Sequence, residues 1–171
     1  MNTFYTIGYE GTDIERFVAT LKLVGIEALA DVRAVALSRK KGFSKSALRS
    51  RLEAEGIRYV HFVELGDPKP GREAARAGQF AKFEQIYTSH LIQPQPQAAI
   101  GELSSLIAEV ATCLLCFERD PKVCHRSIVA TQLKQHGMDV VDLFADSPKR
   151  YVDFHPKLAR RRAGEGAPAT Q

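Results

Sequence analysis

The sequence predicts a single α/β domain of three layers, a mostly parallel open sheet of about five strands with helices on both faces. Three observations predict it. A helical stretch ends at a glycine and an apolar strand candidate starts at once in three places, at Gly25-Ile26, Gly56-Ile57 and Gly137-Met138. Glycine suits the residue past a helix end because that residue often turns left-handed. Strand and helix candidates also alternate, which implies a parallel sheet covered on both sides. The 171 residues, 44% of them hydrophobic, suffice for one domain with its own core. Residues 1–146 are read as that domain. Residues 147–171 are read as a basic extension whose small, polar end, 163–171, is expected to be disordered.

The elements follow in order. Residues 4–8 are the first strand. Thr12 is placed to cap a helix, with Glu15 completing a capping box, and Ile14, Phe17, Val18, Leu21 and Val24 form its apolar face. Residues 27–33 are the second strand. Ser44 is placed to cap a short helix ending near Glu55, and residues 57–62 are the third strand. Residues 66–71, Gly-Asp-Pro-Lys-Pro-Gly, read as a turn-rich loop. A helix from Arg72 to about His90 is weakened by Gly78. Gln93-Pro-Gln-Pro breaks it, and another helix runs to about Glu109. A strand at 111–117, a helix at 121–136 and a strand at 139–144 complete the chain.

Charge is segregated. Arg33, Arg39, Lys40, Lys41, Lys45, Arg49 and Arg51 fall in a stretch without an acid, and residues 149–162 hold six basic residues against Asp153. The net charge is only +4, so the rest is acidic. Such asymmetry points to an anionic small molecule or nucleic acid as partner. No apolar run is long enough to span a bilayer, so no membrane role is expected, and the N-terminus lacks a signal-peptide pattern. Three cysteines form no disulfide framework, which fits a reduced, cytoplasmic setting.

Right-handed crossovers place every strand-to-helix loop on one edge of a parallel sheet, where ligands of such folds bind. The ends of the first four strands carry Gly8-Tyr9-Glu10, Asp31-Val32-Arg33, His61 and Cys116-Phe117-Glu118. These groups are expected to share one cleft. Side chains two apart in a strand share a face, so Asp31 pairs with Arg33 and Cys116 with Glu118. Arg33 could clamp an oxyanion, or simply form a salt bridge with Asp31.

The stretch Cys116-Phe-Glu-Arg-Asp-Pro-Lys-Val-Cys124-His125-Arg126 concentrates two thiols, two carboxylates, an imidazole and two guanidinium groups at a strand-to-helix junction. If Asp120 caps the helix and Pro121 opens it, Cys124 and His125 occupy its first turn. A thiol there is shifted toward thiolate by the helix dipole and nearby cations. A buried structural cysteine is the alternative. His125 projects toward the sheet, Arg126 could reach a phosphate, and His61 sits where a ligand could meet it. Cys113 and Cys116 point to opposite strand faces and cannot easily share zinc, although Cys116, Cys124 and a histidine could. A phosphatase-like loop fails because Lys122, not arginine, stands six residues after Cys116. No metal or cofactor is assigned. The basic stretch from Ser38 to Lys45 suits phosphate contact through Ser38, Ser44 and Arg39, with Phe43 available to stack on a base.

Thr6-Ile-Gly-Tyr-Glu, Asp31-Val-Arg, Ser38-Arg, Phe43, Tyr59-Val-His61, Glu64-Leu-Gly66 and Cys116-Phe-Glu…Cys124-His-Arg together resemble the DUF488 family over about residues 4–145. Ala36 stands where that family commonly has proline. The name denotes a domain of unknown function, so the resemblance implies a fold and a shared site without an activity. The implied site comprises Asp31, Arg33, Ser38, His61, Glu64, Cys116, Glu118, Cys124, His125 and Arg126.

The leading expectation is an enzyme, or enzyme-like protein, acting on a phosphate-bearing ligand such as a nucleotide or nucleic acid. Arg33, Ser38, Arg39 and Arg126 would hold phosphate, Cys116 or Cys124 would supply a thiolate, and His61 or His125 would relay a proton. The alternatives are a noncatalytic nucleic-acid-binding module with structural cysteines, and a thiol or metal sensor.

Overall fold

The computed structural model describes residues 2–154. Five strands form one parallel sheet: β1 (Thr3–Gly8), β2 (Ala28–Asp31), β3 (Arg58–His61), β4 (Thr112–Cys116) and β5 (Asp139–Phe144), in the order β3-β2-β4-β1-β5. Six helices connect them: α1 (Ile14–Val24), α2 (Lys45–Glu53), α3 (Lys69–Arg76), α4 (Phe80–Leu91), α5 (Pro94–Glu109) and α6 (His125–Gln135). The expected three-layer α/β architecture is present. The expected disorder of residues 163–171, and most of the basic extension, lie outside the described residues.

The layers follow from the strand pattern. Alternate side chains of β1 and β4 enter two separate cores. Tyr5, Ile7, Leu29, Cys113 and Leu115 pack with Phe17, Val18 and Leu21 of α1 and Leu48 and Leu52 of α2. Phe4, Ala28, Ala30, Leu114 and Cys116 pack with Phe83 and Tyr87 of α4, Ile100 and Leu103 of α5, and Val129 and Leu133 of α6. Connections from β1 and β2 thus run across one face toward β3. Those from β3 and β4 run across the other face toward β5. The chain departs in opposite directions from the adjacent ends of β2 and β4, and such a point opens a crevice at the carboxyl edge. Among the described residues, no helix is long and apolar enough to cross a membrane.

Several local expectations are corrected. Asp13, not Thr12, caps α1, accepting from the Arg16 backbone N–H at 2.8 Å. The Thr12 hydroxyl instead donates to the Ala145 carbonyl at 2.7 Å. The loop at 66–71 is half helical, because Pro70 fits the first turn of α3. The helix expected from Arg72 to His90 is two helices, parted at Gly78, whose φ of 71° ends α3. Asp120 caps a 3-10 turn, Pro121–Val123, and Cys124 itself stands at the N-cap of α6.

Candidate functional site

β4 is apolar because it is buried on both faces, and it delivers Cys116 to the α3–α6 side. Beyond it the chain bends through 117–120 and is pinned on three sides. The Glu10 N–H donates to the Phe117 carbonyl at 2.8 Å, and the Arg119 N–H donates to Glu10 Oε2 at 2.8 Å. The Arg126 guanidinium, fully buried, donates to the Glu118 and Arg119 carbonyls and to Thr6 Oγ1. Gly8 faces this loop so closely that a Cβ there would stand 1.8 Å from the Glu118 carbonyl oxygen. The 3-10 turn then brings Cys124 back beside Cys116.

His125 completes the cluster. Its Nε2 lies 2.7 Å from the Val32 carbonyl oxygen. A carbonyl only accepts, so Nε2 carries the proton and Nδ1 faces the thiols. Nδ1 is 3.7 Å from Cys116 Sγ and 3.9 Å from Cys124 Sγ. The Cys116 thiol donates to Glu118 Oε2 at 3.3 Å. Tyr87 places its ring 5.1 Å from the imidazole. Cys116, Cys124 and His125 are each at most 5% exposed.

Burial and charge divide the roles of the two thiols. Burial opposes ionisation of Cys124. The hydrogen bond from Cys116 and the charges of His125 and Arg126 overcome it and hold Cys124 well below the ordinary thiol range. The same hydrogen bond, together with burial, pushes Cys116 well above that range. Burial also disfavours the His125 imidazolium, but the Cys124 thiolate outweighs it and raises the imidazole pKa. Burial, then the charge on Cys124, pushes the Glu118 carboxyl up to about 7. The cluster therefore favours a thiolate–imidazolium pair with a protonated neighbouring thiol.

The other expected site residues lie elsewhere. Asp31 and Arg33 form a buried fork on the opposite face of the sheet. Arg33 Nε donates to Asp31 Oδ1 at 2.9 Å and Nη2 donates to Oδ2 at 2.7 Å. Tyr59 donates to Asp31 Oδ2, and Arg33 Nη1 donates to Tyr9 Oη and the Phe43 carbonyl. Arg33 and Arg126 thus spend their donors inside the protein. The single cleft expected from the strand ends is two networks separated by the sheet. They meet at the backbone of Val32, whose carbonyl receives His125. His61, paired in register with Asp31, places Nε2 2.7 Å from the Arg33 carbonyl oxygen. Ser38 and Ser44 bond to one another's groups, turning the basic loop back on itself. Arg39 is exposed there, whereas Phe43 is fully buried and stacked on Tyr9 at 4.5 Å, so it is no base-stacking platform. The Glu64 side chain is exposed, and its carbonyl receives His90 Nε2.

Residues 13–133 match the family model described as Domain of unknown function DUF488. The chain belongs to the DUF488 family. No curated protein matches it, and no solved structure does. In this DUF488 domain the structure gathers Cys116, Glu118, Cys124, His125 and Arg126 at the β4–α6 junction.

Sequence reasoning missed Asp67 and Tyr87. Asp67 is buried, and its Oδ1 has no hydrogen-bond partner among the described residues. Burial raises its carboxyl pKa, while the charge of His125 works against that rise. Tyr87 is fully buried, with its hydroxyl donating to the Leu65 carbonyl at 2.7 Å. The position of Asp67 soon after β3, at the carboxyl edge of the sheet, was the signal available for it. Tyr87 offered only a helical apolar spacing shared with Phe83 and Leu91.

Proposed function

We propose that this DUF488 protein is a thiol-dependent enzyme in which Cys124 attacks an anionic, phosphate-bearing ligand. The observation that carries the reading is the contact of Cys124 with an imidazole whose far nitrogen is already committed to Val32 O. That hydrogen bond fixes the ring with Nδ1 toward sulfur, the arrangement by which a base activates a nucleophile. Sγ of Cys124 forms the new bond to the electrophilic centre. The leaving group departs with its electron pair and takes the proton from His125 Nδ1, leaving a neutral imidazole. Glu118 receives the Cys116 thiol proton in a hydrogen bond.

The phosphate part of the reading shifts to other cations. Arg33 and Arg126 contribute charge rather than free donors, so exposed cations, among them Arg39 and Lys41 on the basic loop and Lys45 at the start of α2, are left to meet an anion. Alkylation tests both parts. Iodoacetate should label Cys124 at pH values below about 7, where an ordinary thiol is slow. Adenosine monophosphate or inorganic pyrophosphate should slow that labelling. A Cys124 that reacts only near the ordinary thiol pKa removes the enzyme reading, and labelling indifferent to either anion removes the phosphate.

The same exposed loop favours one other reading, a noncatalytic nucleic-acid-binding module. Tight binding of single-stranded DNA or RNA that weakens steeply with salt, with Cys124 unreactive, would favour it.

A further inference from the structure

We propose that Cys116, Cys124 and His125 form a binding site for a thiophilic divalent cation of the zinc class, with a fourth position open beside Glu118. Sequence spacing alone assigned no metal; the fold brings these three together. Their ligand atoms all lie within 4.8 Å of one another. The distances from Nδ1 to the two sulfurs, 3.7 and 3.9 Å, lie near the sulfur–nitrogen edge of a tetrahedral zinc centre, about 3.6 Å from ordinary Zn–S and Zn–N lengths. Small side-chain movements would close the remainder.

A second observation points the same way. A metal-bound histidine normally donates its other ring N–H to a carbonyl or carboxylate, which fixes the tautomer. His125 Nε2 already makes that bond to Val32 O. The ligands also come from two rigid elements, the end of β4 and the start of α6, across a loop fastened by Arg126. Cys113 belongs to the opposite face and takes no part.

Charge and proton balance are satisfied without redox chemistry. The cation displaces the Cys116 proton, and the His125 Nδ1 proton when present, to solvent. A divalent ion with two thiolates and a neutral imidazole is uncharged, which suits a buried site. Glu118 Oε2, 3.3 Å from Cys116 Sγ, stands where it could complete the tetrahedron or accept from a bound water.

This proposal uses the side chains of the thiol reading but does not require Cys124 to be a nucleophile. The test is titration of tag-free, metal-free full-length protein with cobalt(II). One equivalent should produce sulfur-to-cobalt charge transfer and a tetrahedral ligand-field spectrum, and zinc should abolish both. Cys116→Ser and Cys124→Ser should each weaken binding by about 100-fold or more, since even outer-shell changes cost about 10–100-fold. Cys113→Ser should leave it unchanged. If a variant fails to fold, zinc protection of Cys116 and Cys124 from N-ethylmaleimide in the unaltered protein, mapped by mass, replaces it. Octahedral weak binding, indifference to both serine variants, or absence of protection would overturn the proposal. A reactive Cys124 in protein that binds no cobalt would sink the metal site and spare the thiol reading.

Discussion

His125 Nε2 donates to the carbonyl oxygen of Val32 at 2.7 Å, so the orientation of the imidazole depends on the backbone at the end of β2. That backbone is in turn held by the Asp31–Arg33 fork beneath it. The Arg33 N–H also donates to Asp31 Oδ1 at 3.1 Å. A network on one face of the sheet thereby positions a side chain on the other.

Replacing Arg33 with Met should therefore destabilise the fold by about 3–5 kcal/mol, because it leaves the Asp31 carboxylate buried without its partner. Denaturant unfolding measures the loss. Arg33→Lys should recover little of it, since an ammonium cannot reproduce the two-pronged contact. Near-wild-type stability in either variant would show that the fork is not structural.

Glu118 makes a prediction with a definite sign. Its carboxyl is raised in the folded protein to about 7, first by burial and then by the Cys124 charge. Between the unfolded value, about 4.3, and that folded value, the folded state holds a proton that the unfolded state has lost. The contribution of this residue to stability therefore falls as pH rises through that window. Glu118→Gln should gain stability relative to the unaltered protein between pH 5 and pH 8, read as a Tm difference. A difference that is flat or shrinks with pH would contradict the account.

Phe43 should behave as a core residue. It is fully buried, stacked on Tyr9 and edge-on to Phe17 at 5.2 Å. Phe43→Ala should cost about 3–5 kcal/mol in denaturant unfolding. A loss within about 0.5 kcal/mol would be surface behaviour and would restore Phe43 as a contact residue.

Gly8→Ala should act at a distance in sequence. The added methyl has no room against the Glu118 carbonyl, so the loop after β4 must move. We expect a loss of about 1–3 kcal/mol in denaturant unfolding, together with a weaker thiolate signal from Cys124. Unchanged stability and an unchanged signal would mean that the loop tolerates displacement.

The layered fold was legible because its signals are local: the glycines after α1, α2 and α6, and the apolar runs of β1 and β4. The thiol cluster was legible for the same reason, since Cys116 and Glu118 share strand parity and Cys124 returns within eight residues. The placement of Asp31 and Arg33 was not. Alternation says that two residues of one strand share a face, but only register says how strands relate. Asp31 pairs with Leu115, so Cys116, one residue on, points the opposite way. Arg126 was likewise read as a flank able to reach phosphate, but the loop folds back over it and supplies carbonyls to its donors. Asp67 lay hidden in a stretch that looked like a turn because its surroundings include Gly71 of α3, and the His125 charge that acts on it comes from a residue distant in sequence.

The most direct test is the ultraviolet absorbance of thiolate followed against pH in metal-free protein. The account predicts an inflection well below the ordinary thiol pKa of about 8.5, removed by Cys124→Ser and kept in Cys113→Ser. Thiolate absorbance that appears only at or above that pH, or that survives Cys124→Ser unchanged, would contradict it.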